Sequence, residues 1–418
     1  MLSSYGLMTY THCRCIYLDY NATTPLAAEV AAAMRPYLEE AYGNPSSLHW
    51  AGRPAREAVD AARSQVAALL GCDTNEVAFT SGGTEANNQA LKGVYFARHR
   101  RGLRTHIITS QIEHPAVLQP CRFLESLGAE VTRLRVDRQG LVDPDDVRRA
   151  IRPETGLVSI MHANNEVGTI QPIADIAALA RRHGIHCHTD AAQTAGKLSV
   201  DVAALGVDLL TIAGHKLYGP KGVGVLFVRR GVEIEPLLHG AGHEAGRRAS
   251  TESVLQIVGL GAACELARRA LRPPSVLGEH LRRGGESSAS PRHVGLTPRR
   301  SPESDIERLR DHFWLQLQAT WGDRVVLNGH VQRRLPNTLS VGFLGCSGHE
   351  LLARLPQVAA STGSACHAGS THLSPVLEAM GVSPDVGLGT IRFSLGRSTT
   401  AEEIDEVVEA LAALRPPD

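Results

Sequence analysis

The 418-residue chain is long enough for a large core and for more than one domain. Its 43 Lys plus Arg balance 43 Asp plus Glu, which excludes a nucleic-acid or membrane-surface protein driven by bulk charge. No apolar run reaches the roughly eighteen residues that span a bilayer. The eight cysteines lack the spacing of a zinc site or a disulfide framework, so a reducing cytoplasm is the expected compartment.

Residues 1–16 read as an extension ahead of the first strand. The Ala-rich stretches 27–42 and 54–71 carry apolar residues at helical spacing, and Gly71 stands where a C-cap would. An apolar strand then runs through Ser81-Gly82-Gly83-Thr84 into another helix. Short apolar runs follow at 106–110, 130–136, 156–163, 186–191, 208–214 and 222–230, with helical stretches such as 173–184 between several of them. Strand, helix, strand at this spacing predicts βαβ units and a mostly parallel sheet, an α/β fold. From about residue 265 the pattern changes to long helices, with strands near 337–343 and 390–396. The expected organisation is a large α/β domain over 17–265 and a smaller α+β domain over 266–418. Residues 272–303, rich in Pro, Ser, Gly and Arg and without a period, read as a disordered basic insertion.

Three features carry chemistry. The glycines at 82 and 83 before a helix let backbone N–H groups approach an anion, and the helix N-terminus adds its positive end. The pattern is neither G-x-G-x-x-G nor a Walker loop, so the anion expected is a simple phosphate. The strand 186–191 ends with Asp190, and Gln193 follows; an acid there points into the ligand crevice of an open α/β sheet. His186 and His188 share a strand face, but no third ligand stands near them, so no metal is expected. Lysine is rare in the chain: Lys92, Lys197, Lys216 and Lys221 are the only four. Lys216, in "GHKLYGPKG", follows an apolar strand. A lysine, an acid and a phosphate cradle together are what pyridoxal phosphate requires.

Ten ordered blocks carry a resemblance: "YLDYNATTP", "GNPSS", "FTSGGTEANN", "EHPAV", "MHANNEVGTIQP", "HTDAAQ", "GHKLYGPKG", "GAGHEAGRRASTES", "STGSACHAGS" and "IRFSLGRSTT". From about residue 17 to 410 the chain resembles the cysteine desulfurase and selenocysteine lyase family, fold-type-I pyridoxal phosphate enzymes of the class-V aminotransferase group. The resemblance implies a seven-stranded-type sheet and a Schiff-base lysine at Lys216, with His215 before it and Lys221 a turn residue. It implies that Gly83 and Thr84 bind the cofactor phosphate, that His114 stacks on the ring, and that Asn165 and Gln193 face its oxygen. Asp190 would meet the ring nitrogen. Thr251 would reach the phosphate of a neighbouring subunit, implying a homodimer. Arg392, with Asn165 beside it, would hold the substrate carboxylate.

Cys366 is the implied nucleophile, with Lys216 and His114 as proton carriers. The implied substrates are L-cysteine or L-selenocysteine, yielding alanine and a sulfur or selenium cargo for an acceptor protein. Ala213 (often Ser in the family), the Cys366-His367 pair and "SPVL" lean towards the selenocysteine lyase branch. Ser250 stands where Gly is common. Cys72, Cys121, Cys187 and Cys264 read as small buried hydrophobes. An aminotransferase or other β-lyase would share Lys216 and Asp190 but would not need Cys366, and a non-catalytic scaffold would tolerate loss of Cys366 or Lys216, both of which are present.

Overall fold

The computed structural model describes residues 15–271, 302–362 and 373–416. Strand β1 (Ile16–Tyr17) comes first, followed by β2 (Val77–Thr80), β3 (His106–Ser110), β4 (Glu130–Leu134), β5 (Thr155–Ser159), β6 (His186–Asp190), β7 (Leu209–Ala213) and β8 (Gly224–Val228). The last seven of these form one sheet in the order β2-β8-β7-β6-β5-β3-β4. Five neighbouring strands run parallel, while β8 is antiparallel to both β2 and β7. The sheet is therefore mostly parallel, as the strand–helix alternation predicts.

The strands read as near-continuous apolar runs because both faces are covered. Ile108, Val158, Leu210 and Phe227 join one apolar cluster, packed with the helices Gly52–Leu70, Ile173–Arg182 and Val254–Leu271. Their neighbours Ile107, Leu157, Leu209 and Leu226 point the other way, onto the helices Gly83–Arg100 and Pro115–Glu125. Period-two alternation thus builds a three-layer body from strands that contain little polar residue.

The C-terminal part has its own sheet: β9 (Val325–Asn328), β10 (Thr338–Phe343) and β12 (Thr390–Ser394), antiparallel in the order β12-β10-β9. Ile391 and Phe393 of β12 face a core with Phe313, Trp321 and Ile404, supplied by the helices Pro302–Trp321 and Ala401–Ala412. Arg392, between them in sequence, must then face the opposite side. Strand β1 pairs with β11 (Val358–Ala359), so Ile16 and Leu18 pack into this C-terminal core although they begin the described chain.

Most of the basic insertion lies outside the described residues. Its end needs correction, because residues 302 and 303 already belong to the helix Pro302–Trp321. Proline is tolerated in a first helical turn, where its missing N–H has no intrahelical partner to lose.

Candidate active site

The carboxyl ends of β2, β3, β5, β6 and β7 open on one cleft of about 370 Å³. Lys216, Asp190, His114, Gln193, His215 and Asn165 line it, as do Gly83, Thr84 and Ala213, and Arg392 closes it from the C-terminal sheet. These residues are spread over more than 300 positions of sequence, and the two sheets bring them together.

Lys216 ends a short 3-10 turn, Gly214–Lys216, directly after β7. Its Nζ donates to the backbone carbonyls of Asn21 and Ala22. Burial, with Arg392 nearby, holds its pKa down at about 8, against the opposing pull of Asp19 and Asp190. A lysine so placed is a competent nucleophile near neutral pH. Lys221, in contrast, is exposed in the turn before β8.

Asp190 is the last residue of β6 and is 7 % exposed. Its Oδ2 accepts from Asn87 Nδ2 at 2.7 Å and its Oδ1 from the Ala192 N–H at 2.9 Å. Glu113 lies close by, fully enclosed, and accepts from Ser110 Oγ (2.6 Å) and the Met161 N–H (3.0 Å). Burial pushes its carboxyl up to about 8 in spite of those bonds. Enclosure thus favours the neutral form of the Glu113 carboxyl.

His114 caps the helix Pro115–Glu125: its Nδ1 accepts from the Ala116 N–H at 3.0 Å. That bond assigns the neutral ring's proton to Nε2. The ring faces the cleft and is exposed to it. Even so, the protein packed around the ring holds its pKa below the ordinary histidine value, with Lys216 adding and Asp190 opposing. His215 bonds through Nδ1 to Thr23 Oγ1 at 3.1 Å, and burial together with Lys216 and Lys221 lowers its pKa to about 4.

Gly82 precedes the helix Gly83–Arg100 with φ 153°, a conformation that favours glycine, and a Cβ there would meet open space. The glycine is present for its backbone, which turns the helix N-terminus onto the cleft. Ala213 approaches that cradle; a Cβ on Gly83 would come within 3.3 Å of its side chain.

Arg392 occupies the middle of β12 and is 3 % exposed. Its Nη2 donates to Asp19 Oδ1 at 2.7 Å and its Nη1 to the Asn165 carbonyl at 2.9 Å, while the buried Nε has no partner. Thr251 does not line this cleft. It lies in an adjacent concavity with Ser81, Ser250 and Arg248. Ser250 has φ 93°, which explains why glycine suits that position and implies local strain of about 1–3 kcal/mol.

Sequence reasoning missed Asn87, Glu113 and Asp19. Asn87 was open to discovery, since it lies one helical turn past Gly83 on the face that meets the sheet. Cys366 and His367 lie outside the described residues. Burial pushes the thiols of Cys72, Cys121, Cys187 and Cys264 well above the ordinary range, so none of them is a ready thiolate. His188 is fully buried between Ser159 Oγ (2.8 Å) and Thr211 Oγ1 (3.1 Å). Among the described residues, no group of three or more His, Cys, Asp and Glu is placed to hold a metal ion.

The donor set fits pyridoxal phosphate. A helix N-terminus would meet the phosphate, Lys216 would offer the amine, Asp190, bonded to Asn87, would suit the ring nitrogen, and the buried Asn87 Oδ1 still lacks a partner. With the doubly covered sheet, these features define a pyridoxal-phosphate-dependent enzyme of the class-V aminotransferase group, and residues 16–272 match the model of the family "Aminotransferase class-V". The chain is 46 % identical to the cysteine desulfurase IscS of Dictyoglomus turgidum (strain DSM 6724 / Z-1310), over 95 % of this chain and 93 % of that protein. Among solved structures, a NifS-like protein aligns with TM-score 0.83 and 35 % identity over 96 % of this chain and 99 % of its own. A structure described as SspA in complex with cysteine aligns with TM-score 0.75 and 36 % identity over 92 % and 100 %. The chain belongs to the cysteine desulfurase family.

Proposed function

We propose that the protein takes sulfur from L-cysteine, leaving L-alanine, and passes the sulfur to an acceptor protein. The observation that carries this reading is the convergence of Lys216, Asp190 and Arg392 on one cleft. An amine, an acid and a guanidinium are what a bound cofactor and the carboxylate of an α-amino acid require. The cofactor, when bound, supplies an aldehyde for amine chemistry and a ring that takes up the electrons left at Cα.

The chain's own residues do the rest. Gly83 and Thr84 present the helix N-terminus to the phosphate, Asn165 and Gln193 face the ring oxygen, and His215 backs the lysine. Asp190, oriented by Asn87, would meet the ring nitrogen. Arg392 grips the substrate carboxylate, with Asn165 beside it. Lys216, freed from the carbonyls of Asn21 and Ala22, carries the Cα proton. His114, with Nε2–H turned outward, is the second proton carrier. Cys366 is the acceptor: its thiolate would attack the substrate sulfur, the Cβ–S bond would break with its electron pair left on the carbon side, a proton delivered there would complete the methyl of alanine, and the sulfur would stay on Cys366 as a persulfide.

We further assign residues 17–265 to a cofactor-binding domain and 266–418 to a C-terminal domain; the two apolar clusters support two domains, although Leu18 and Ala267 each pack across those bounds. A homodimer is supported by Thr251, which stands outside its own cleft, and by Leu48 and Trp50, which are 83 % and 79 % exposed. The six cysteines among the described residues are all free thiols, which supports a cytoplasmic setting.

Alanine formation by the cofactor-loaded protein, measured with L-cysteine and with L-selenocysteine, tests the reading. We expect turnover of L-cysteine, and its absence would overturn the proposal. The Ala213 leaning predicts more than a tenfold advantage for selenocysteine in kcat/KM, about 1.4 kcal/mol. Equal values would place the protein with the general cysteine desulfurases.

A further inference from the structure

Asn21, in the motif "YLDYNATTP", has no part in the chemistry so far, yet it is 1 % exposed and bonded on every side. Its N–H donates to Ser394 Oγ at 2.9 Å. Its carbonyl accepts from Gln193 Nε2 at 3.0 Å and from Lys216 Nζ. The side-chain Nδ2 donates to Thr338 Oγ1 (2.8 Å) and to the Asn165 carbonyl (3.3 Å). Oδ1 accepts from Asn337 Nδ2 (3.1 Å) and from Lys197 Nζ (3.4 Å). Both amide hydrogens and two lone pairs are used, which is close to all an asparagine side chain has.

These partners belong to two different sheets. Lys216, Gln193 and Asn165 follow strands of the large sheet, while Thr338 and Ser394 stand on β10 and β12 of the small one. Arg392 is two residues from Ser394 on β12 and shares the Asn165 carbonyl with Asn21. One residue therefore touches the reactive amine and the frame of the guanidinium at the same time.

We infer that Asn21 is a positioning residue that sets the span between the Lys216 amine and the Arg392 guanidinium. An α-amino acid carries its amine and its carboxylate on one carbon. A site that must receive both at once needs that span held to about half an ångström. Arg392 on the Asn165 carbonyl and the Leu335 N–H on the Gly168 carbonyl also cross between the two regions, and the fully bonded Asn21 amide stiffens that junction beside the amine, since its rupture leaves unsatisfied polar groups.

The inference rests on the reading that Lys216 and Arg392 receive the two ends of the substrate. Its test compares L-alanine with ethylamine, which differ only in the carboxylate, by spectral titration of the cofactor-loaded protein. Asn21→Ala should weaken L-alanine binding about tenfold, from the loss of one or two buried hydrogen bonds. Ethylamine binding and cofactor content should move less than about twofold. Equal weakening for both ligands would mean a general structural role, and no change for either would mean that the span is set elsewhere; both overturn the inference. Thr338→Val, which removes one bond from the same amide, should shift L-alanine in the same direction by about threefold and guards against an Asn21 variant that fails to fold. A wild-type protein that binds ethylamine as tightly as L-alanine would overturn the assignment of Arg392 itself, and this inference with it.

Discussion

In the large sheet, Asp190 is the last residue of β6, and Lys216 stands on a turn three residues beyond β7. In the small sheet, Arg392 sits in mid-strand, opposite Ser340 of β10 and bridged to Ser361 on its other side. The first arrangement leaves a side chain on backbone released from the ladder, so it can swing. The second clamps the Cα between neighbours, and Asp19 and the Asn165 carbonyl then hold the guanidinium. An amine that must bond, release and carry a proton needs freedom; a group that only grips a carboxylate gains from rigidity. On the proposed function, the two regions divide these tasks.

The sharpest way to break this comparison is at the amine. Lys216→Ala should remove the visible absorption of bound cofactor and all turnover, while Lys221→Ala, an exposed turn residue, should stay within about twofold of wild type. A colourless Lys221 variant with a coloured Lys216 variant would reverse the assignment.

Arg392→Lys probes the rigid partner. A lysine keeps the charge but loses the planar fork and the bonds to Asp19 and Asn165, so kcat/KM for L-cysteine should fall about a hundredfold, mainly through KM. Cofactor absorbance should be retained. A variant with unchanged KM would show that the carboxylate is held elsewhere.

The third expectation concerns the titration of the Lys216 amine. The pKa of Lys216 is depressed to about 8, so below that pH the folded protein carries a buried cation at a cost, and the cost is relieved as pH rises towards the free lysine value of about 10.4. At pH 7 about a tenth of the amine is neutral. Cofactor uptake by the cofactor-free protein should therefore quicken about fivefold between pH 7 and 8 and level off about tenfold above its pH 7 rate beyond pH 9, and thermal stability of that form should rise across pH 8–10. A rate still climbing at pH 10 would place the amine in an ordinary aqueous environment.

Much of the large sheet's chemistry is legible in sequence because it sits where local patterns change. Asp190, Lys216, Gly83 and His114 each stand at the junction of an apolar strand with a turn or a helix, and strand ends are readable from composition alone. The antiparallel entry of β8 is not, since an apolar run carries no sign of its direction. Arg392 was marked by resemblance alone, for an arginine between two apolar residues of a strand reads equally well as a solvated face.

The sequence by itself determined the period-two and helical patterns, the class of fold, and the scarce lysine that follows an apolar strand, because each depends on neighbours a few positions apart. The tertiary structure alone decided the partners. Asn87 anchors Asp190, Asp19 holds Arg392, Asn21 joins two sheets, and Ile16 and Leu18 pack into the core at the other end of the chain. Hydrogen-bond partners more than 300 residues apart leave no local period. Their pairing follows from which faces the two sheets bury, and only the folded chain brings those faces together.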